Sequence, residues 1–371
     1  MSTGNRELSG LPRCADDMTT EWLSSALGRG SVSDVSVEPL GSSAGFTGQV
    51  VRLALRGGPD LPATVIAKLP NADAGRRALF HRLGYAAREL AFYRTIAPAS
   101  EVRVPELYFG EVDADTGASV LLLEDLGAQR CLGSLRSDCS HDDAVSAVAA
   151  LARFHADWWA NTDAVEWIPD VRLGAEKTRA AVAGPWRAVF DERIRVHAPE
   201  LLVNGGPQSG LLDALGDRLT EVKGALAIPS TTIVHSDFRA DNIFRMSDSG
   251  EIAVIDWENI VRARGGMDLA VFALSSLSVE SRREHETELL RTYVDTLAGR
   301  GITDYGPAHC LRDYRLGMAN STVVALLGVV VLDTLGQRDP SWTVEMLRRG
   351  QAATVDHDLV TWLSSGDFLD A

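Results

Sequence analysis

Two rhythms of apolar and polar residues run along the chain, and they change over near Gly127. Before that point "VSDVSVEPL", "QVVRLAL" and "ATVIAKL" have the composition of strands and are separated by Gly and Pro. "ELYFGEVD" and "ASVLLLEDL" predict two more strands. Between the two sets, residues 74 to 96 repeat apolar side chains at helical spacing. Near the start, "MTTEWLSSALG" predicts a short helix with Thr19 or Thr20 as its cap and Gly28 as its stop. After Gly127 helical spacing dominates, around 141–161, 174–200 and 208–226, and again from about 267 to the end. Short strands flank 234–256, where "IFRMSDSGEIAVID" reads as a hairpin with "SDSG" as its turn. The pattern predicts an α+β chain in three parts. These are an N-terminal extension with a short helix (1–29), a small β-rich lobe (30–126) and a larger helical lobe (127–371).

Composition narrows the partners. The 371 residues suit two lobes better than one core. A net charge of −15 argues against nucleic acid, whose binding needs a basic face, and is compatible with a cationic substrate. Cys14, Cys131, Cys139 and Cys310 form no C-x-x-C pair, and reduced thiols in a cytoplasmic protein are expected. No basic segment followed by an apolar one opens the chain, so no signal peptide is expected. The apolar run "VVALLGVVVL" (323–332) is too short to span a bilayer and predicts a buried helix rather than a membrane partner.

The chemistry concentrates in "VHSDFRADNIF", residues 234 to 244. A strand ends at Val234, and His235, Asp237 and Asn242 follow as H-x-D-x-x-x-x-N. Phosphoryl transfer from a nucleotide needs a carboxylate to accept or orient the acceptor hydroxyl. It also needs oxygen ligands for Mg²⁺ and a cation on the phosphates. Asp237 is placed for the first role, and Asn242, with a neutral carbonyl oxygen, suits the second. Asp256 ends the apolar run "IAVID", and the hairpin is expected to bring it near Asn242 as a second Mg²⁺ ligand. His235 is expected to brace the loop rather than act as a base. Asp241 reads as a turn or solvent residue.

Lys68, at the inner end of "TVIAKLP", is either a charge that blunts a sheet edge or a phosphate-binding lysine. The second reading wants a carboxylate partner, and Glu89 on the following helix offers one. The glycine-rich stretch "GSSAGFTGQV" precedes the lysine strand. Its Ser42, Ser43, Gly45 and Thr47 could fold over phosphates and offer backbone N–H groups, or simply form a flexible turn.

Together "VIAK", the helix glutamate, "VLLLEDLG", "VHSDFRADNIF", "VIDWE" and "GGMDLAVF" resemble the protein-kinase-like small-molecule phosphotransferases. These include the aminoglycoside phosphotransferase and choline kinase type and its ecdysteroid-kinase-like branch. The resemblance runs from residue 41 to about 273. It implies a bilobal protein-kinase-like fold, with Asp237 as catalytic base, Asn242 and Asp256 on Mg²⁺, and Lys68 on the α/β-phosphates of ATP or GTP. It also implies that residues 122–126, Glu124 and Leu126 among them, line the hinge that meets the nucleotide base. Asp268 would brace the catalytic loop. There are departures. Ser236 stands where relatives often carry Gly, and "DWE" replaces the "DFG" of protein kinases. Glu258 thereby adds an acid near the metal, as a support or a substrate contact. The activation segment of protein kinases and its A-P-E end are missing, which argues against a protein substrate.

The leading expectation is a kinase that phosphorylates a hydroxyl of a small molecule, an antibiotic or other natural product, as resistance enzymes do. A housekeeping kinase of a sugar, amino alcohol or nucleoside is the rival. A non-catalytic pseudokinase would be marked by loss of Asp237, Asn242, Asp256 or Lys68, and all four are present. A helical interaction protein with an accidental motif would bind no Mg²⁺–nucleotide. The pair Trp158–Trp159 in "HADWWANTDAVEW" is expected in the core of a helix, although it could help shape an acceptor site.

Overall fold

The computed structural model describes residues 10–40, 48–134, 137–183, 186–197, 199–200, 207–228, 232–334 and 341–369. By its packing the chain forms two units. The smaller comprises Met1–Arg130 and Ala253–Asn259; the larger comprises Cys131–Ile252 and Ile260–Ala371.

In the smaller unit α1 (Thr20–Leu27) precedes β1 (Val32–Pro39), β2 (Gly48–Gly57) and β3 (Thr64–Pro70). Next come α2 (Ala74–Leu83), α3 (Tyr85–Ala91), β4 (Leu107–Val112) and β5 (Ser119–Glu124). The strands make one antiparallel sheet in the order β1-β2-β3-β5-β4. Side chains alternate across a strand. Val65, Ala67 and Leu69 of β3 therefore share one buried face, in one cluster with Trp22, Leu23 and Leu27 of α1. Lys68 lies between them in sequence and belongs to the opposite face. Thr19 caps α1 by accepting from the Trp22 N–H at 3.2 Å, and Gly28 ends it at φ 61°. Burying an apolar side chain of this size stabilises by about 1.5–3 kcal/mol. The first helix is thus part of the lobe's core, not an appendage to it.

The helical pattern over 74–96 breaks at Gly84, which sits at φ 73° and closes α2. Only glycine adopts that conformation freely, so the chain turns there before α3. Ala253–Asn259 returns to the same unit. Val254 donates its N–H to the Arg103 carbonyl at 2.9 Å. The Trp257 ring stacks on Phe92 with centroids 4.0 Å apart.

The chain passes into the larger unit within β6 (Arg130–Cys131). There follow α4 (His141–Asp157), α5 (Ala175–Ala183), α6 (Trp186–His197), α7 (Pro207–Ala227), β7 (Thr232–Val234), β8 (Ile243–Arg245), β9 (Ile252–Val254), within which the chain returns to the smaller unit, and then β10 (Val261–Ala263) in the larger. The unit closes with α8 (Gly266–Ser276), α9 (Val279–Gly299), α10 (Pro307–Thr334), α11 (Ser341–Asp356) and α12 (Leu359–Ser365). β7 pairs antiparallel with β10, Val234 opposite Val261. α8 is buried along its whole length, against α10. Two glycines permit this. A Cβ on Gly265 would lie 2.0 Å from the Tyr293 hydroxyl, and one on Gly266 would lie 2.6 Å from Asp313 Cβ.

The helix expected over 141–161 stops at Asp157. Trp158 is its C-cap, and both Trp158 and Trp159 are only half-buried rather than core. The "VVALLGVVVL" run lies in α10, and among the described residues no helix is long and apolar enough to cross a membrane. None of the four cysteines takes part in a disulfide among the described residues.

Candidate active site

Lys68 is the centre of the first group of side chains. Its Nζ lies 2.7 Å from Glu89 Oε1 and 2.6 Å from Asp256 Oδ1. Glu89 is buried, whereas Asp256 keeps 29% of its side chain exposed. Burial works against a charge on Lys68. The carboxylates of Asp256, Glu89 and Glu258 outweigh it and hold the ammonium pKa well above the usual lysine value. Burial pushes the Glu89 carboxyl up, with Lys68 opposing and Asp256 adding to the rise. Lys68 therefore stays charged, as a phosphate ligand must. Arg88, one residue before Glu89, donates to the Glu258 carbonyl at 2.9 Å and ties α3 to the segment that carries Asp256. Asp256 itself is held at φ 69°, a left-handed conformation uncommon outside glycine. Oxygen atoms of Glu89, Asp256 and Glu258 lie within 4.8 Å of one another. That donor set suits a hard dication such as Mg²⁺.

The second group is the loop after β7. Asp268, fully buried in the first turn of α8, accepts the His235 N–H at 2.6 Å and the Ser236 N–H at 2.8 Å. Its Oδ2 also lies 3.2 Å from His155 Nε2, and His155 Nδ1 lies 2.7 Å from the Tyr293 hydroxyl. The carboxylate thus fixes the backbone where the strand ends. The His235 ring accepts the Asp237 N–H at 3.2 Å, so it braces the loop. Asn242 Nδ2 donates to the Asp237 carbonyl at 3.0 Å and to its carboxylate at 3.1 Å. This leaves the amide oxygen of Asn242 as the atom a cation could take. Asp237 is 27% exposed, open to an acceptor.

Ser236 is the one strained residue of this loop, at φ 66°. Its Oγ is sealed from solvent and has no hydrogen-bond partner among the described residues. The left-handed conformation costs a non-glycine residue about 1–2 kcal/mol, against about 0.4–1 kcal/mol for the extra unfolded freedom of glycine. Ser236→Gly is therefore expected to raise the melting temperature by about 1–2 °C. A lowered Tm in a thermal melt would show that the hydroxyl contributes more than the strain costs.

Other sequence candidates fare differently. Ser42, Ser43, Gly45 and Thr47 lie outside the described residues. The Glu124 carboxylate is engaged by Arg103 at 2.5 Å and by the Glu106 N–H at 3.0 Å, and its own N–H donates to the Glu106 carbonyl at 2.9 Å. Leu126 is buried, and its carbonyl accepts the Gln129 N–H at 2.8 Å.

The structure adds residues that pattern reading passes over. Arg239 Nε lies 3.0 Å from Asp237 Oδ1, and its Nη2 lies 3.4 Å from Asp241 Oδ2. Asp241 is thereby an ion-pair partner, not a plain turn residue. The available signal was a cation two residues beyond the central acid. His155 carried no signal, because its role depends on α8 and α9 reaching it.

The family model for the phosphotransferase enzyme family, APH, matches residues 43–308. No curated protein sequence matches the chain. Solved structures share its fold at low identity. The GDP and kanamycin complex of APH(2")-IIIa has a TM-score of 0.53 at 15% identity, covering 91% of this chain and 98% of that one. A choline/ethanolamine kinase family protein from Mesorhizobium loti has a TM-score of 0.50 at 16% identity, covering 89% and 92%. A microcompartment-associated aminopropanol kinase has a TM-score of 0.50 at 16% identity, covering 92% and 98%. The fold is α+β, bilobal and protein-kinase-like, with an antiparallel sheet in the smaller lobe and helices in the larger. A family match over most of the chain, on a fold that sets a lysine among carboxylates and an H-x-D-x-x-x-x-N loop on a buried aspartate, makes this chain a member of the phosphotransferase enzyme family, a small-molecule kinase.

Proposed function

We propose that the enzyme transfers the γ-phosphate of ATP or GTP, with Mg²⁺, to a hydroxyl of a small molecule, an antibiotic or other natural product. The observation that carries the reading is Lys68, kept charged between Glu89 and Asp256. An ion pair of this kind is what a nucleotide kinase needs to hold phosphates.

In this proposal the smaller lobe binds the nucleotide, and the larger lobe carries catalysis and acceptor binding. Lys68 holds the α/β-phosphates and Glu89 orients Lys68. Asn242 and Asp256 are the Mg²⁺ ligands. Their amide and carboxylate oxygens are the donor types that the ion prefers. Mg²⁺, when bound, neutralises charge that develops on the transferred phosphoryl group. Asp237 orients the acceptor hydroxyl and takes its proton. Asp268, through the His235 and Ser236 N–H groups, keeps that carboxylate aimed.

A cationic acceptor is supported by the net charge of −15 and by a fold neighbour complexed with kanamycin. A second reading, an amino-alcohol kinase, is favoured by the choline/ethanolamine kinase and aminopropanol kinase neighbours. Labelled γ-phosphate from ATP, and separately from GTP, decides between them when offered with a panel of hydroxyl-bearing antibiotics, nucleosides, sugars and amino alcohols. Label on an antibiotic, absent with Asp237→Asn, supports the first reading. Label on an amino alcohol supports the second. Mg²⁺-dependent nucleotide binding without transfer to any member leaves the kinase reading standing with an acceptor outside the panel and strengthens the pseudokinase reading.

A further inference from the structure

We propose that the larger lobe carries a second metal site, for a divalent transition ion of the zinc type, formed by His141, His285 and Glu288. His141 opens α4, and His285 and Glu288 lie one turn apart on α9, the helix packed beside it. One donor atom from each of the three falls within 4.8 Å of the others. His141 Nε2 and Glu288 Oε2 are 3.4 Å apart. Two ligands on a tetrahedral zinc with bonds of about 2.0–2.1 Å are separated by about 3.3 Å, so this pair already stands at coordinating distance. The two imidazole rings lie side by side, with centroids 4.2 Å apart.

The two ring nitrogens of His141 differ. His141 Nδ1 is sealed from solvent and has no hydrogen-bond partner among the described residues. The nitrogen that would take the ion is the other one, Nε2, which faces Glu288. The chemistry sets the class of ion. Two imidazoles and one carboxylate favour zinc, nickel, cobalt or copper over magnesium or calcium, which prefer oxygen throughout. Three protein ligands leave a position for water. None of the three residues belongs to the proposed Mg²⁺–nucleotide set. The ion would clamp α4 to α9, the same two helices that meet at His155 and Tyr293 behind Asp268. The expected consequence is a stiffer support for the catalytic loop.

The test uses the full chain, stripped with chelator and kept in excess Mg²⁺ so that the nucleotide site does not compete. Titration with Zn²⁺ in a calorimeter is expected to show one site per chain. Zn²⁺ is expected to raise the Tm by a few degrees, since a ligand bound only to the folded state stabilises it. His285→Ala and Glu288→Gln are each expected to weaken binding by more than about tenfold, on the scale of losses seen at metal sites. Unchanged affinity in both variants, or no saturable binding by the wild type, overturns the site. X-ray absorption at the zinc edge of the wild type gives a readout that does not depend on the variants. Scattering from two imidazoles supports the site, and an oxygen-only environment overturns it.

Discussion

Asp237→Asn lowers turnover about a thousandfold and leaves nucleotide affinity nearly unchanged. The substitution keeps the shape and removes the charge. In the wild type one carboxylate oxygen accepts from Asn242 Nδ2 at 3.1 Å and the other faces Arg239 at 3.0 Å. An asparagine can still accept from Asn242, so the loop held by Asp268 keeps its path. What it cannot do is take a proton from the acceptor hydroxyl. Positioned proton transfer contributes about 10²–10⁴ in rate, and a thousandfold loss is about 4 kcal/mol of barrier. Lys68 and Glu89 are untouched, which is why affinity should hold. Initial rates with labelled nucleotide measure the first quantity and calorimetry the second. Turnover within tenfold of wild type would remove Asp237 from the base role. A large fall in affinity with normal turnover per bound nucleotide would make it a binding residue.

The central loop was legible because its chemistry is local. Asp237 and Asn242 lie within one turn of chain, and a strand that ends at Val234 sets both. Lys68 was legible for another reason. Alternation along β3 puts it opposite the buried face of Val65, Ala67 and Leu69, and no apolar core explains a lysine there. Glu89 followed as the acid on the helical stretch after that strand, although it stands on α3, beyond the break at Gly84. Less legible were features set by close approach between distant elements. Gly84 looked like one more position in a long helical pattern, yet its left-handed conformation ends the helix. The first helix read as an extension, because nothing local shows that Trp22 packs edge-on against Phe109, with centroids 5.5 Å apart. Asp268 entered through family likeness alone. Its buried carboxylate supports two backbone N–H groups that lie more than thirty residues earlier in the chain. Arg239 was missed because an exposed-looking cation beside acids carries little information until the distance to Asp237 is known.

Asp256→Ala abolishes Mg²⁺-dependent nucleotide binding. Two roles meet in this side chain, and the experiment can separate them. As a partner of Lys68 at 2.6 Å it helps to keep the ammonium charged, a role that Glu89 at 2.7 Å also fills. As a metal ligand it cannot be replaced by Glu89, which is buried and bound to Lys68, and this leaves Glu258 as the other carboxylate nearby. Loss of the ion-pair role alone would weaken nucleotide binding equally with Mg²⁺ and with chelator. Loss of the metal role would erase the difference between the two conditions. The expected result is the second: affinity in Mg²⁺ falls at least about a hundredfold, about 2.7 kcal/mol, to the value measured in chelator. Alanine at φ 69° lacks the polar side chain that makes this conformation easier for aspartate, so a thermal melt must first show that the variant is folded. Asp256→Asn keeps an oxygen ligand without the charge and should fall between the two. If the alanine variant retains a Mg²⁺-dependent gain in affinity, the metal is held by other oxygens, and Glu258 is then the first to substitute.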